Sequence, residues 1–393
     1  MTDGPLIYLV AGEPSGDFLG GRLMASLKER TGGAVRFAGI GGEAMAAQGL
    51  VSRVPLGELA VMGVAEILPR ARRILGHVRA TVADIVRLQP DAVVTIDSSG
   101  FTWRIAHGLR RRGQRLPLIH YVAPMVWAWR GGRARRMARW YDHLMTLLPF
   151  EPPYFAAVGL SCSYVGHPVV ESGADRGDGA AFRRRHGIAA ETKLLVLLPG
   201  SRHGEVRRLL PIFKAALDRL AARYPDIAVA LPTTETVQAE VSAAVASWPR
   251  PVMVLRGQGE KYDAFAAGDV AIAASGTVAL ELAMARLPTL IAYRINPLTH
   301  ALVRRIVKIE HAHLVNLVLK REAVPELLQE RCMPEALAAA AVRLLEDGAA
   351  RAAQISACET ALEQLGAGDL VPSLRAADEV LAIIAARAPQ RKE

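Results

Sequence analysis

The stretch Lys193–Val206, "KLLVLLPGSRHGEV", sets the architecture. Leu194–Leu198 is apolar without alternation, as expected of a strand covered on both faces. The run stops at Pro199-Gly200-Ser201-Arg202, and a helical pattern, "HGEVRRLLPIF", begins at once. A strand that hands over directly to a helix is the opening of a parallel-sheet unit. The helix start offers unpaired N–H groups and the positive end of a dipole. Such a spot favours an anion, most often phosphate. Arg202 adds a planar, permanently charged fork. The same residues also fit a plain strand–turn–helix in which Ser201 caps the helix.

The pattern recurs along the whole chain. The runs "PLIYLVA", "VRFAGIG", "DAVVTID", "LPLIHYVA", "HLMTLLPF" and "CSYVGHP" precede it, and "IAVALPT", "VMVLRG", "DVAIAAS" and "PTLIAYR" follow. Helical stretches such as "ATVADIVRLQ" and "FKAALDRLAARY" separate them. This alternation predicts doubly wound parallel sheets with helices on both faces. At 393 residues the chain reads as two domains. They meet around Glu171–Lys193, a Gly-, Ala- and charge-rich linker with a first helix, and an Ala-rich helical tail follows Glu346.

Composition narrows the function. Hydrophobic residues make 51% of the chain and charged residues 22%, so a large core is expected rather than disorder. The three cysteines, Cys162, Cys332 and Cys358, form no disulfide framework or metal knuckle and fit a reducing compartment. No secretory signal and no apolar run near the ~18 residues of a membrane span is present. The net charge of +10 points to nucleic acid, anionic lipid or phosphorylated ligands.

Ligands of open parallel sheets bind beyond the carboxyl ends of the strands. Three further loops stand there. "AGEPSGDFLGG" carries Gly12, Gly16, Gly20 and Gly21, but no Walker Lys and no GxSxG spacing. "TIDSSGF" places Asp97 as a candidate general base; alternatively Asp97, Ser98 or Ser99 caps the next helix. "AIAASGTVALELAMARLP" puts Ser275, Gly276 and Thr277 at a helix start and Glu281 a turn further in, where it can accept from a ribose diol or remain a solvated first-turn acid. Two phosphate-type turns in one half suggest a nucleoside diphosphate. "GIGGEA" (39–44) matches GxGxxA, but after the second strand and without the ribose acid. The chain contains no Asp-x-Asp, no HExxH and no His cluster, so no metal is expected.

Two stretches mix cations with apolar surface. Trp127, Trp129 and Trp140 lie among Arg130, Arg133, Arg135, Arg136 and Arg139, a pattern open to nucleic-acid stacking, a membrane interface or simple packing. In 61–88, Ile74, Leu75, Val78, Val82 and Ile85 form one helical stripe flanked by arginines, which reads as a core helix or a membrane-surface helix. Pro69 is expected to break it.

"LVAGEPSGD", "ELAVMGVAEIL", "IHYVAPMVWAWR", "LLPFE", "VGHP", "LLPGSRHGEV", "ASGTVALE" and "VPELLQE" together resemble lipid-A-disaccharide synthase, in order, from Leu6 to about Val380. The resemblance implies an α/β GT-B fold, two Rossmann-like doubly wound domains facing each other across a cleft. It places the acceptor domain at 1–170 and the UDP-sugar domain at 171–349. The helices of about 350–388 would pack back on the first domain or on a partner subunit. It implies an inverting, metal-independent transferase without cofactor. UDP-2,3-diacylglucosamine and 2,3-diacylglucosamine-1-phosphate (lipid X) would be the substrates, joined as a β-1,6 disaccharide with release of UDP. By the same resemblance Asp97 is the base. Arg202 holds the diphosphate, and Gly200, Ser201, Ser275, Gly276, Thr277, Glu281 and Asn316 bind UDP. Glu13 and Ser15 line the acceptor side. Gly100 stands where many relatives carry a second acid. Val64, Ile67, Leu68, Ile74 and Leu75 would touch the cytoplasmic face of the inner membrane, to which the enzyme would bind peripherally, and a homodimer is compatible. Nucleic acid is not an expected partner. The competing readings are another UDP-sugar enzyme of this fold, such as a 2-epimerase, a basic nucleic-acid-binding protein, and a nicotinamide-dependent oxidoreductase.

Overall fold

The computed structural model describes residues 4–59, 64–128, 131–296, 311–368 and 370–387, with only the backbone for 64–71. The chain forms two compact units, Met1–Pro168 with Gly368–Glu393, and Val169–Ala367. Each carries one six-stranded sheet.

In the first unit the strands are β1 (Leu6–Ala11), β2 (Arg36–Ile40), β3 (Ala92–Ile96), β4 (Leu118–Tyr121), β5 (His143–Thr146) and β6 (Ser161–Tyr164). They lie in the order β2-β1-β3-β4-β5-β6, all parallel. The second unit holds β7 (Leu194–Leu198), β8 (Ala228–Pro232), β9 (Met253–Leu255), β10 (Val270–Ala273), β11 (Thr289–Tyr293) and β12 (Glu326–Leu328). Their order is β12-β11-β10-β7-β8-β9, again all parallel. In each sheet the chain first winds one way and then returns to the other side of its starting strand. The order therefore reverses between β1 and β3, and between β7 and β10. A reversal opens a crevice at the carboxyl ends, because the two flanking crossovers leave on opposite faces.

The non-alternating apolar runs explain the layering. Ile7 and Leu9 pack on one face with Leu23 and Leu27 of the Pro14–Arg30 helix, whereas Tyr8 and Val10 pack on the other with Val82 and Ile105. In the second unit Leu195 and Leu197 meet Leu209, Phe213 and Leu217 of the His203–Arg223 helix, while Leu194 meets Phe182 and Ala264 on the opposite face.

Three expectations are corrected. The apolar runs mark eleven strands and the structure has β12 as well, a three-residue edge strand beginning at Glu326, too short and polar for the pattern to show. The Val64–Leu88 helix runs through Pro69 without a break. An interior proline costs about 3 kcal/mol, whereas burying Val78, Val82 and Ile85 of the same helix contributes about 1.5–3 kcal/mol each, so packing wins. Pro211 sits inside the 203–223 helix in the same way. The tail also returns later than expected. The Gly348–Gln364 helix stays with the second unit, where Gln354 forms two hydrogen bonds with the Thr289 backbone at 2.7 and 2.9 Å. Only the Pro372–Arg387 helix joins the first unit of its own chain. It buries Ala376, Ala377 and Val380 and pairs Asp378 with Arg30 at 2.7 Å.

The "GIGGEA" stretch serves the fold. A Cβ at Gly39 would stand 1.8 Å from the Leu9 carbonyl oxygen, so only glycine fits there. The amides of Gly42, Ala44 and Met45, which would face a dinucleotide, donate to the buried Asp17 carboxylate at 2.6, 2.9 and 3.1 Å. Asp17→Ala should cost about 2–3 kcal/mol, since three donors lose a charged acceptor. The measurement is urea unfolding; an unchanged midpoint would show that the carboxylate is dispensable.

Candidate active site

The nominated loops are the four that flank the two reversals. At the first, Ala11 of β1 is in register with Ile96 of β3. A Cβ on Gly12 would lie 2.4 Å from Ser98 Oγ, so glycine lets the two loops meet. Asp97 and Ser98 have φ of 48° and 46°, and Val122, just past β4, has φ of 83°. Left-handed backbone costs a non-glycine residue roughly 1–2 kcal/mol, and such strain gathers at functional sites. It is held by the Asp97 N–H donating to the Tyr121 carbonyl at 2.9 Å and by Thr102 Oγ1 donating to the Asp97 carbonyl at 2.9 Å. The half-buried Asp97 carboxylate has no hydrogen bond or ion pair among the described residues. The capping alternative fails: Ser98 occupies the N-cap of the Ser99–Arg111 helix and no side chain caps it. Glu13 and Ser15 are exposed at the end of β1, with Glu13 at the N-cap of its helix.

At the second reversal, Arg202 rather than Ser201 is the N-cap residue of the 203–223 helix. Gly200 has φ of 110°, a conformation that favours glycine. Glu205 accepts from the Ser201 N–H at 3.2 Å and from Arg202 Nη1 at 2.9 Å. The Arg202 side chain is 67% exposed. The Glu205 side chain is 12% exposed, so only the guanidinium end of the pair faces solvent, and a diphosphate on Arg202 would compete with Glu205 for it. Tyr293, at the end of β11, belongs to the same cluster. Burial first, then the Glu205 charge, raises its pKa, against the opposing charges of Arg202 and Arg208. Sequence reading missed Tyr293 and Arg208, although Tyr293 is the last residue of an apolar run and so stands at a strand end.

Past β10, Gly276 and Thr277 are exposed and Ser275 Oγ donates to the Ala312 carbonyl at 3.4 Å. Glu281 is not a solvated first-turn acid. Its side chain is 15% exposed, with Lys261 Nζ at 3.0 and 2.9 Å from its two oxygens and the Tyr262 hydroxyl at 3.0 Å. A ribose diol would therefore share Glu281 with Lys261. Asn316 departs further from expectation. It is fully buried, its amide donates to the Val324 carbonyl and Glu326 Oε1 at 2.8 and 2.7 Å, and its oxygen accepts from the Ala323 and Val324 amides. All of its hydrogen-bonding capacity is consumed, so it shapes the 323–326 turn and leaves nothing for a nucleotide.

Of the proposed membrane residues, the side chains of Val64, Ile67 and Leu68 lie outside those described. Ile74 packs against the first core and Leu75 is 42% exposed. Val78, Val82 and Ile85 of the same stripe are core. The tryptophans are packed rather than laid out as a stacking ladder for bases. Trp127 meets Phe150 edge-on at 5.2 Å, and Trp140 meets Trp103 at 6.2 Å. Trp129 lies outside the described residues. Among those residues no group of three or more His, Cys, Asp or Glu side chains could hold a metal.

Residues 7–373 match the family model described as "Lipid-A-disaccharide synthetase". The chain belongs to the lipid-A-disaccharide synthase family. It is 56% identical over 382 residues to the lipid-A-disaccharide synthase of Rhodospirillum centenum, covering 97% of this chain and 95% of that protein. It is 56% identical over 388 residues to that of Paramagnetospirillum magneticum, covering 98% and 99%. Among solved structures, a putative UDP-N-acetylglucosamine 2-epimerase from Listeria monocytogenes matches with a TM-score of 0.63 at 12% identity, covering 99% of this chain and 98% of the other. MurG from Acinetobacter baumannii matches with a TM-score of 0.56 at 14% identity, covering 97% and 99%. The fold is of the GT-B class.

One buried acid in this member of the family lies outside every role foreseen. Glu151 closes the "LLPFE" stretch and accepts from Trp127 Nε1 at 3.2 Å and from the Leu147 and Leu148 amides at 3.2 and 3.0 Å. Burial outweighs these bonds and pushes its pKa up to about 7. The folded state thus holds this proton more tightly than the unfolded one. Its contribution to stability is present below the unfolded pKa and is lost as pH rises toward 7. Glu151→Gln should flatten the stability-versus-pH curve between about pH 4.5 and 7. Chemical denaturation across that range tests it; an unaltered slope would mean Glu151 stays ionised.

Proposed function

We propose that this chain transfers 2,3-diacylglucosamine from UDP to the 6-hydroxyl of 2,3-diacylglucosamine-1-phosphate, giving a β-1,6 disaccharide 1-phosphate and UDP. The observation that carries the proposal is Asp97: a half-buried carboxylate, unpaired among the described residues, on strained backbone at the reversal point of the first sheet. A strand-end acid held without a partner is available to a substrate proton. The anomeric C–O bond to UDP breaks, and its electron pair leaves with the β-phosphate oxygen. The acceptor oxygen forms the new bond to the anomeric carbon from the opposite face, and its proton passes to Asp97. Arg202 and the start of the 203–223 helix offset the charge on departing UDP. Glu281, with Lys261 and Tyr262, holds the ribose. The chain has no Asp-x-Asp, and in this reading Arg202 and the helix start, rather than a metal, offset the leaving-group charge.

We place the reaction at the cytoplasmic face of a membrane. Both substrates carry acyl chains, and the three cysteines are free thiols, as in a reducing compartment. Among the described residues no helix is long and apolar enough to cross the bilayer. The 64–88 helix instead exposes Leu75 beside Arg72, Arg73 and Arg79, a surface suited to anionic headgroups.

Purified protein in detergent with EDTA should release UDP from UDP-2,3-diacylglucosamine only when 2,3-diacylglucosamine-1-phosphate is present. Asp97→Asn should lower kcat by about 10²–10⁴-fold. Release without acceptor would identify a hydrolase or epimerase instead, and loss of turnover with EDTA would disprove metal independence.

A further inference from the structure

The first unit contains a cavity of about 940 Å³ beside the helix start that follows Asp97. Trp103 and Trp140, Arg104, Arg133, Arg136 and His107 line it, and among the described residues no acidic side chain does. Arg104 and Arg136 are exposed, and neither has a carboxylate partner among the described residues. Arg133 lies over the Trp103 ring at 4.8 Å, and His107 lies against Trp140 at 5.2 Å. Ser99 and Gly100, the first two residues of the uncapped Ser99–Arg111 helix, complete the wall.

Two kinds of surface thus stand side by side. The guanidinium groups of Arg104, which donates to the Gly100 carbonyl, and Arg136 have no carboxylate partner among the described residues, and with the helix amides they favour a phosphate. Trp103 is buried, with Trp140 packed edge-on against it, and the half-buried Trp140 indole offers apolar surface of the kind that contacts a ring in a ligand site. A cavity with both, and with no acid among the described residues to repel an anion, fits a sugar phosphate. The donor's diphosphate already has its cations in the second unit, at Arg202. The wall residues Ser99 and Gly100 are also the second and third residues after Asp97.

We propose that this cavity binds the phosphate monoester of the acceptor. Arg104, Arg136 and the helix amides hold the phosphate, and Trp140, backed by Trp103, contacts the sugar. It is the subsite by which the enzyme selects a phosphorylated acceptor. The proposal rests on the transferase reading above and adds the residues that recognise the acceptor.

The test measures KM for each substrate, with the acceptor supplied as 2,3-diacylglucosamine-1-phosphate or as the same sugar without phosphate. Wild-type enzyme should prefer the phosphorylated form. Arg104→Ala and Arg136→Ala should each raise the acceptor KM by roughly tenfold or more while leaving the donor KM unchanged, as expected for loss of one charge-assisted contact. The double variant should lose the preference. Both side chains are exposed, so folding is not at stake. Unchanged acceptor KM and preference in the double variant would overturn the proposal. So would retained preference with lost sedimentation on phosphatidylglycerol vesicles, since the arginines would then serve the lipid surface. Should the wild type not join the two substrates at all, the transferase reading falls and the cavity is tested directly by titrating glucosamine-1-phosphate against tryptophan fluorescence. A saturable change lost in the double variant sustains the subsite, and no change in the wild type overturns it.

Discussion

Parallel pairing constrains everything else in this protein. A strand that pairs in parallel cannot be joined to its neighbour by a hairpin, so each must be followed by a crossover. Because the strands of each sheet all run parallel, their carboxyl ends all lie at one edge of it. A six-stranded sheet built this way reverses its winding once, between β1 and β3 in one unit and β7 and β10 in the other. Only four loops flank those reversals. They carry Gly12, Asp97, Arg202 and Ser275, the residues nominated from the sequence, and so the topology leaves room for a ligand beside each of them.

Within that frame, internal acids sort the helix starts. Asp17 consumes the amides of Gly42, Ala44 and Met45, and the dinucleotide-like glycine stretch is closed to ligands. Glu205 partly fills the turn at Ser201 and Arg202, leaving most of the guanidinium exposed. The start of the 99–111 helix has no capping side chain. The same dipole thus gives a structural staple, a partly filled turn and an open anion site, depending on whether a carboxylate of the chain already occupies it.

The buried polar groups follow the same logic of satisfaction. Asn316 looks like a ligand-binding asparagine in the sequence, but its four hydrogen bonds are all made inside the second unit. Glu281 keeps its carboxylate at the edge of the fold, with Lys261 and Tyr262 orienting it. Asp97 is the reverse case. Its backbone is fixed on both sides, and its carboxylate has no partner among the described residues.

Most of the plan was legible in the sequence. Strands leave apolar runs, unbroken where both faces are buried as in β7, and eleven of the twelve were visible; β12 at Glu326–Leu328 was not, because it opens on a glutamate and offers only two apolar residues. The strand-end residues Asp97, Arg202 and Ser275 could be named because a strand end is a position along the chain. Other features depend on contacts between distant segments. The stripe of the 64–88 helix divides into core at Val78, Val82 and Ile85 and surface at Leu75 only once the helix has docked. Whether Asn316 is spent or available, whether Tyr293 joins Arg202, and whether Trp103, Arg104 and Arg136 surround one cavity are likewise set by packing. By itself the sequence determined which residues stand at strand ends and which faces must be buried, because periodicity and local turn chemistry are properties of neighbours in the chain. The tertiary structure alone decided which polar groups remain unsatisfied, because hydrogen bonds and burial are completed by residues far away in sequence.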